Sequence, residues 1–139
     1  MKLAVVGSRS FDNHELMDRI LRRHDIELII TGGAIGADTL ARQWAVNRVP
    51  VRIIAADWER HGRSAGIIRN TYIVDQSDKV VAFWDGKSPG TKSTISYARK
   101  KGKIVEVIEF RSGRRGQSVC KASADARTDG ERVLPKTRD

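Results

Sequence analysis

The sequence predicts an α/β fold. It reads as a doubly wound parallel sheet of about five strands in a single domain over residues 1–110, followed by a disordered basic C-terminal tail over residues 111–139. Two observations predict it. Short apolar, β-branched runs alternate with segments whose apolar residues recur at helical spacing, the pattern of parallel strands joined by right-handed crossovers. Three glycine-bearing turns, Gly7-Ser8-Arg9-Ser10, Gly32-Gly33-Ala34-Ile35-Gly36 and Ser88-Pro89-Gly90-Thr91, each follow an apolar run. In a parallel sheet such turns gather at the carboxyl edge of the strands, where open α/β sheets bind ligands.

The elements follow in a regular order. Lys2–Val6 reads as a buried strand, and Asp12 is placed to cap a helix carrying Leu16, Met17, Ile20 and Leu21 on one face. Glu27–Thr31 is the second strand. After its glycine turn, Ala37, Leu40, Ala41, Trp44 and Ala45 repeat at i, i+3, i+4, i+7 and i+8, an amphipathic helix that Pro50 brings to a close. Val51–Ala55 is the third strand, Asp57–Gly66 a polar loop, and a helix carrying Ile67, Ile68, Tyr72 and Ile73 follows. Lys79–Trp84 is the fourth strand, Thr91–Lys101 a helix opened by a Thr91 N-cap and stopped by Gly102, and Lys103–Ile108 the fifth strand.

With 139 residues the chain can bury a core without disulfides. Its net charge of +9 is uneven. Residues 1–110 hold 18 basic and 13 acidic side chains, and residues 111–139 hold 8 and 4. That balance suits anionic partners without naming one. Cys120 is the only cysteine, which excludes an internal disulfide and fits a reducing cytoplasm. His14, His24 and His61 lack paired metal-ligand spacing, so neither a metal nor a cofactor is expected. Met1–Val6 is too short for a signal sequence, and no run approaches membrane-spanning length, so a cytoplasmic protein without membrane contact is expected.

The turns carry the chemistry. Glycine lets a phosphate approach the backbone, and amides opening a helix favour an anion. The candidate ligand residues are therefore Gly7, Ser8 and Arg9 in the first turn, Gly32, Gly33, Ala34 and Gly36 in the second, and Ser88, Gly90 and Thr91 in the third. Asp38 falls in the first turn of its helix, where a carboxylate complements the dipole or serves a reaction. Trp58, Arg60, His61, Arg63 and Arg69 crowd the segment after the third strand, a composition that stacks on bases and pairs with phosphates. Arg69 and Asn70 are the binding candidates there.

Val5-Val6-Gly7-Ser8-Arg9, Thr31–Asp38, Arg69-Asn70, Ser77–Gly86 and Ser88–Thr94, in that order, resemble the SLOG superfamily, and within it the YspA-like, cpYpsA-related family. The resemblance covers residues 1–109. It implies a Rossmann-like sheet that binds a nucleotide or nucleotide-derived ligand, with the phosphate near Gly32, Gly33, Gly36, Gly90 and Thr91. Two related groups imply different activities. LOG enzymes cleave the N-glycosidic bond of a nucleoside monophosphate, and DprA proteins bind single-stranded DNA. LOG enzymes carry a catalytic glutamate where this chain has Thr94, and threonine cannot stabilise an oxocarbenium-like state by charge.

Three functions are thus in view. The first is a nucleotide-binding domain, as sensor or component of nucleotide metabolism. The second is a phosphoribohydrolase using a non-standard carboxylate, with Arg69 and Asp38 as its catalytic candidates. The third is a DprA-like single-stranded DNA binder. LOG enzymes are dimers, which adds a homodimer to the expected partners.

Overall fold

A computed structural model describes residues 1–112 and 118–120. The element order is β1 (Lys2–Gly7), α1 (His14–Leu21), β2 (Leu28–Thr31), α2 (Ala37–Ala45), β3 (Val51–Ile53), α3 (Trp58–His61), a 3-10 turn (Gly62–Ser64), α4 (Ala65–Asp75), β4 (Lys79–Trp84), α5 (Pro89–Lys100), β5 (Ile104–Ser112) and β6 (Ser118–Cys120). The sheet order is β3-β2-β1-β4-β5-β6. Strands β1 to β5 run parallel, and β6 joins β5 antiparallel. The doubly wound parallel α/β sheet expected from the sequence is the fold observed.

Alternation along each strand divides the apolar side chains between two cores. Leu3, Val5, Val81 and Phe83 face α1 and α2, together with Leu16, Met17, Leu21 and Leu40. Ala4, Val6, Val80 and Ala82 face α4 and α5, where Ile73, Val74, Ile95 and Ala98 cover them. Phe11 seals the first core at the carboxyl edge, its ring 4.5 Å from Phe83 and 5.0 Å from Phe110 between centroids. Both faces being covered is what makes the strands read as nearly continuous apolar runs.

Several boundaries differ from the sequence expectations for identifiable reasons. The α1 cap is Asn13, whose Oδ1 accepts from the Leu16 amide at 3.0 Å, and not Asp12 one residue earlier. Helix α5 starts at Pro89 behind an N-cap at Ser88, three residues ahead of the expected Thr91 cap. Proline lacks the amide that a first helical turn leaves unpaired, so it opens a helix readily. Thr91 is instead buried inside that first turn. The polar loop after β3 contains α3, capped by Asp57 through a 3.1 Å bond from the Arg60 amide. Strand β5 runs on to Ser112 and pairs with Ser118–Cys120, a sixth strand beyond the end expected at Ile108. Of the expected tail, residues 113–117 and 121–139 lie outside the described residues. Among the described residues, no helix is long and apolar enough to cross a membrane.

Candidate functional site

The strand order reverses between β1 and β4, so the turns after β1, β2 and β4 open at one edge of the sheet. Their glycines have two different uses. Gly36 has φ 88°, and a methyl group there would strike the Ser8 carbonyl and lie 2.6 Å from Arg9 Cα. Gly7 is as tightly held, with Phe83 O 2.5 Å and Ala37 Cβ 2.7 Å from such a methyl. These two glycines let the first and second turns lock together. Gly33 and Gly90 face open space instead. The nearest atom to an added Cβ is Ile53 Cγ2 at 4.0 Å for Gly33, and none lies within 4 Å for Gly90.

Ser8 and Ser88, both ligand candidates from the sequence, are engaged within the fold. Ser8 is buried; its amide donates to Phe83 O at 2.9 Å and its hydroxyl accepts from the Asp85 amide at 3.1 Å. Asp85 gathers the turn after β4, accepting from the amides of Lys87 (2.9 Å) and Ser88 (2.8 Å) and from the Ser88 hydroxyl (2.9 Å). Partial burial works against its charge, yet these donors and Ser8 hold its carboxyl below the usual range. Asp85 therefore shapes a turn. Arg9 is exposed, with its backbone against Gly36.

The second turn, α4 and α5 converge on Arg69. A methyl at Gly32 would lie 2.6 Å from Arg69 Nη1 and 2.8 Å from Asp38 Oδ2, so the guanidinium and the carboxylate flank the same Cα. Arg69 Nε donates to Asn70 Oδ1 at 2.8 Å, Asn70 Nδ2 donates to Thr94 Oγ1 at 2.9 Å, and Thr94 Oγ1 donates to Gly90 O at 2.9 Å. This relay joins the turn after β2 to the open start of α5. Asp38, Gly32, Arg69, Asn70 and Gly90 are thereby linked, and Thr94 proves to be a buried connector whose hydroxyl both donates and accepts.

Asp38 is the unusual member. It is only 6% exposed. Burial pushes its carboxyl up to about 6, against the opposing pull of Arg69, the Ala34 amide, Thr31 and Arg42. The Ala34 amide donates to Asp38 Oδ2 at 3.3 Å, and the Thr39 hydroxyl donates to Ala34 O at 3.0 Å, so Ala34 is bound into its own turn. A carboxyl near 6 exists in both protonation states around neutrality, the condition a general acid or base needs.

Sequence reasoning grouped Trp58 with the base-stacking and phosphate-pairing residues after β3 without naming it a ligand residue, and left Ile53 out. Trp58 Cη2 lies 3.7 Å, and Arg69 Nη2 3.8 Å, from the Cβ position of Gly66, so the indole edge and the guanidinium both border Gly66. The density of aromatic and basic residues after β3 was the signal for Trp58; Ile53 carried none. Arg63 is exposed in the 3-10 turn.

A family model described as the YspA, cpYpsA-related SLOG family matches residues 1–61, which include the first two turns and Asp38. The Gene 61 protein of Mycobacterium phage D29 is 33% identical over 121 residues, a match that covers 78% of this chain and 95% of that protein.

Proposed function

Because the chain belongs to the YspA, cpYpsA-related SLOG family, we propose that it binds a nucleotide or nucleotide-derived ligand at the carboxyl edge of its sheet, as a sensor or a component of nucleotide metabolism. Membership supports nucleotide-related ligands in general. The observation that carries the finer reading is the convergence of Arg69 and Asp38 on Gly32, linked through Asn70 and Thr94 to Gly90. Arg69 supplies a fixed, planar cation suited to phosphate. Gly33 and Gly90 supply backbone with no side chain in the way. The ligand set in this reading is Arg69, Asn70, Gly32, Gly33, Gly90 and Thr91, with Gly7, Ser8, Gly36 and Ser88 holding the turns in place.

A thermal-shift screen of the full chain against nucleoside mono-, di- and triphosphates, ADP-ribose, ribose 5-phosphate and a short single-stranded DNA tests this. Stabilisation by a small nucleotide, abolished by Arg69→Ala, is the expected result. A chain that none of the small ligands stabilises would remove the reading.

Asp38 favours a second reading, N-glycosidic cleavage of a nucleoside monophosphate. Thr94 offers no charge, whereas Asp38 is a carboxylate beside the same arginine. Ionised, it would stabilise positive charge developing on the ribose; it could also accept a proton from the attacking water. Free base released from a nucleoside monophosphate, and lost in Asp38→Asn, is the result this reading requires.

A further inference from the structure

Beyond Arg69 the rim of the site carries two apolar side chains. Trp58 is 62% exposed and Ile53 48% exposed, although side chains of this size are normally buried more deeply. The exposure of Trp58 is not a matter of loose chain. Asp57 caps α3 at its start, and Gly62 at φ 57° ends it. Trp58 is thus held by local structure in a helix with no buried side chain, so the core does not require a tryptophan there.

Its neighbours define what it faces. The indole edge and Arg69 Nη2 approach the same point over Gly66, and Ile53 Cγ2 faces Gly33. Larger residues at 66 or 33 would intrude on this surface. An aromatic ring and the cation thus both approach Gly66, and an aliphatic side chain approaches Gly33, whose backbone is otherwise open. A ligand matching that surface has a planar, weakly polar part and an anionic part joined to it.

We propose that Trp58, with Ile53 at the Gly33 turn, is the platform for the base of a nucleotide whose phosphate end is held at Arg69. This rests on the nucleotide-binding reading above. Trp58 would then determine affinity for the base and leave the phosphate contacts alone. Base–aromatic contacts removed by alanine typically cost binding by about ten-fold or more.

Isothermal titration of the full chain compares a series of nucleoside 5′-monophosphates and ADP-ribose with ribose 5-phosphate, which has the phosphate and lacks the base. In Trp58→Ala, nucleotide affinity should fall about ten-fold or more while ribose 5-phosphate binds within about two-fold of wild type. Trp58→Phe should recover most of the nucleotide affinity, and the melting temperature of both variants should stay near wild type. Equal losses for nucleotide and ribose 5-phosphate would overturn the platform, as would unchanged nucleotide binding in Trp58→Ala. A loss seen with a single-stranded oligonucleotide and not with mononucleotides would also overturn it, in favour of DNA. Wild-type protein that binds neither nucleotides nor ribose 5-phosphate would remove the nucleotide reading itself, and the platform with it.

Discussion

Replacing Asp38 by asparagine should stabilise the folded protein as pH rises through the weakly acidic range. Burial raises the Asp38 carboxyl from 3.8 to about 6. The folded state therefore holds this proton more tightly than the unfolded state. Its contribution is fully present below 3.8 and is lost as pH rises through about 6. A shift of this size removes about 3 kcal/mol from wild-type stability across that window. Asparagine is neutral throughout and keeps an acceptor for the Ala34 amide, so the variant escapes that loss. The assay is urea unfolding followed by tryptophan fluorescence, for wild type and Asp38→Asn, from about pH 3.5 to about pH 7.5 at fixed ionic strength. Titrations elsewhere cancel in the difference between the two proteins. That difference should move by about 2–3 kcal/mol in favour of the variant between the ends of the range. A difference that stays constant with pH would refute the buried, titrating carboxyl and the acid–base role built on it.

Glu106 should behave in the opposite sense. Burial opposes its charge, but His24, Lys79 and Arg23 outweigh that effect and hold its carboxyl at about 2, below the ordinary 4.5. Its contribution is present above 4.5 and is lost as pH falls through about 2, so Glu106→Gln should remove up to about 3 kcal/mol at neutral pH and little in strong acid, as read by urea unfolding at several pH values. Gly32→Ala pushes against the flexible end of Arg69 and the tip of Asp38. Chemical denaturation should register a change within about 1–2 kcal/mol, while calorimetry registers nucleotide affinity reduced about ten-fold or more as the guanidinium is displaced. Thr94→Val leaves Asn70 Nδ2 without its acceptor and removes the hydroxyl bond to Gly90 O, for a loss of about 1–3 kcal/mol in thermal or urea unfolding. Any base release, measured under conditions where the variant is folded, should persist, since the hydroxyl connects α4 to α5 and is not the reacting group.

The sheet was legible in the sequence because burial on both faces writes an unbroken apolar run, and Lys79–Trp84 matches to the residue. Ends were less legible where several residues could do one job. Asp12 and Asn13 are both good caps, and only the folded chain shows that Asn13 takes the Leu16 amide. Pro89 pointed to the start of α5 as strongly as Thr91 pointed away from it. The short α3 escaped notice because it has no apolar face; a single aspartate cap and one turn define it. At the site, residue types named the members but not their duties. Gly7 and Gly36 look like Gly33 and Gly90 in a sequence, and only contact between turns divides those that accommodate the chain from those that stay open. Asp85 and Asp38 likewise differ by neighbours alone, one surrounded by donors and the other desolvated.

None of the side chains from Trp58 to Ser64 is buried, whereas Gly36 and Ala37 are fixed against Ser8 and Arg9. The molecule is accordingly divided between text that must be conserved for folding and text that is free to change. Substitutions over 58–64 leave both cores intact, so a lineage can acquire a new molecular preference there while inheriting the arginine and the open turns unchanged. Diversity among descendants of this chain should accumulate in that stretch first, and a library randomised across it with Gly62 kept, since its φ of 57° disfavours any side chain, would sample new ligands at little risk to the fold.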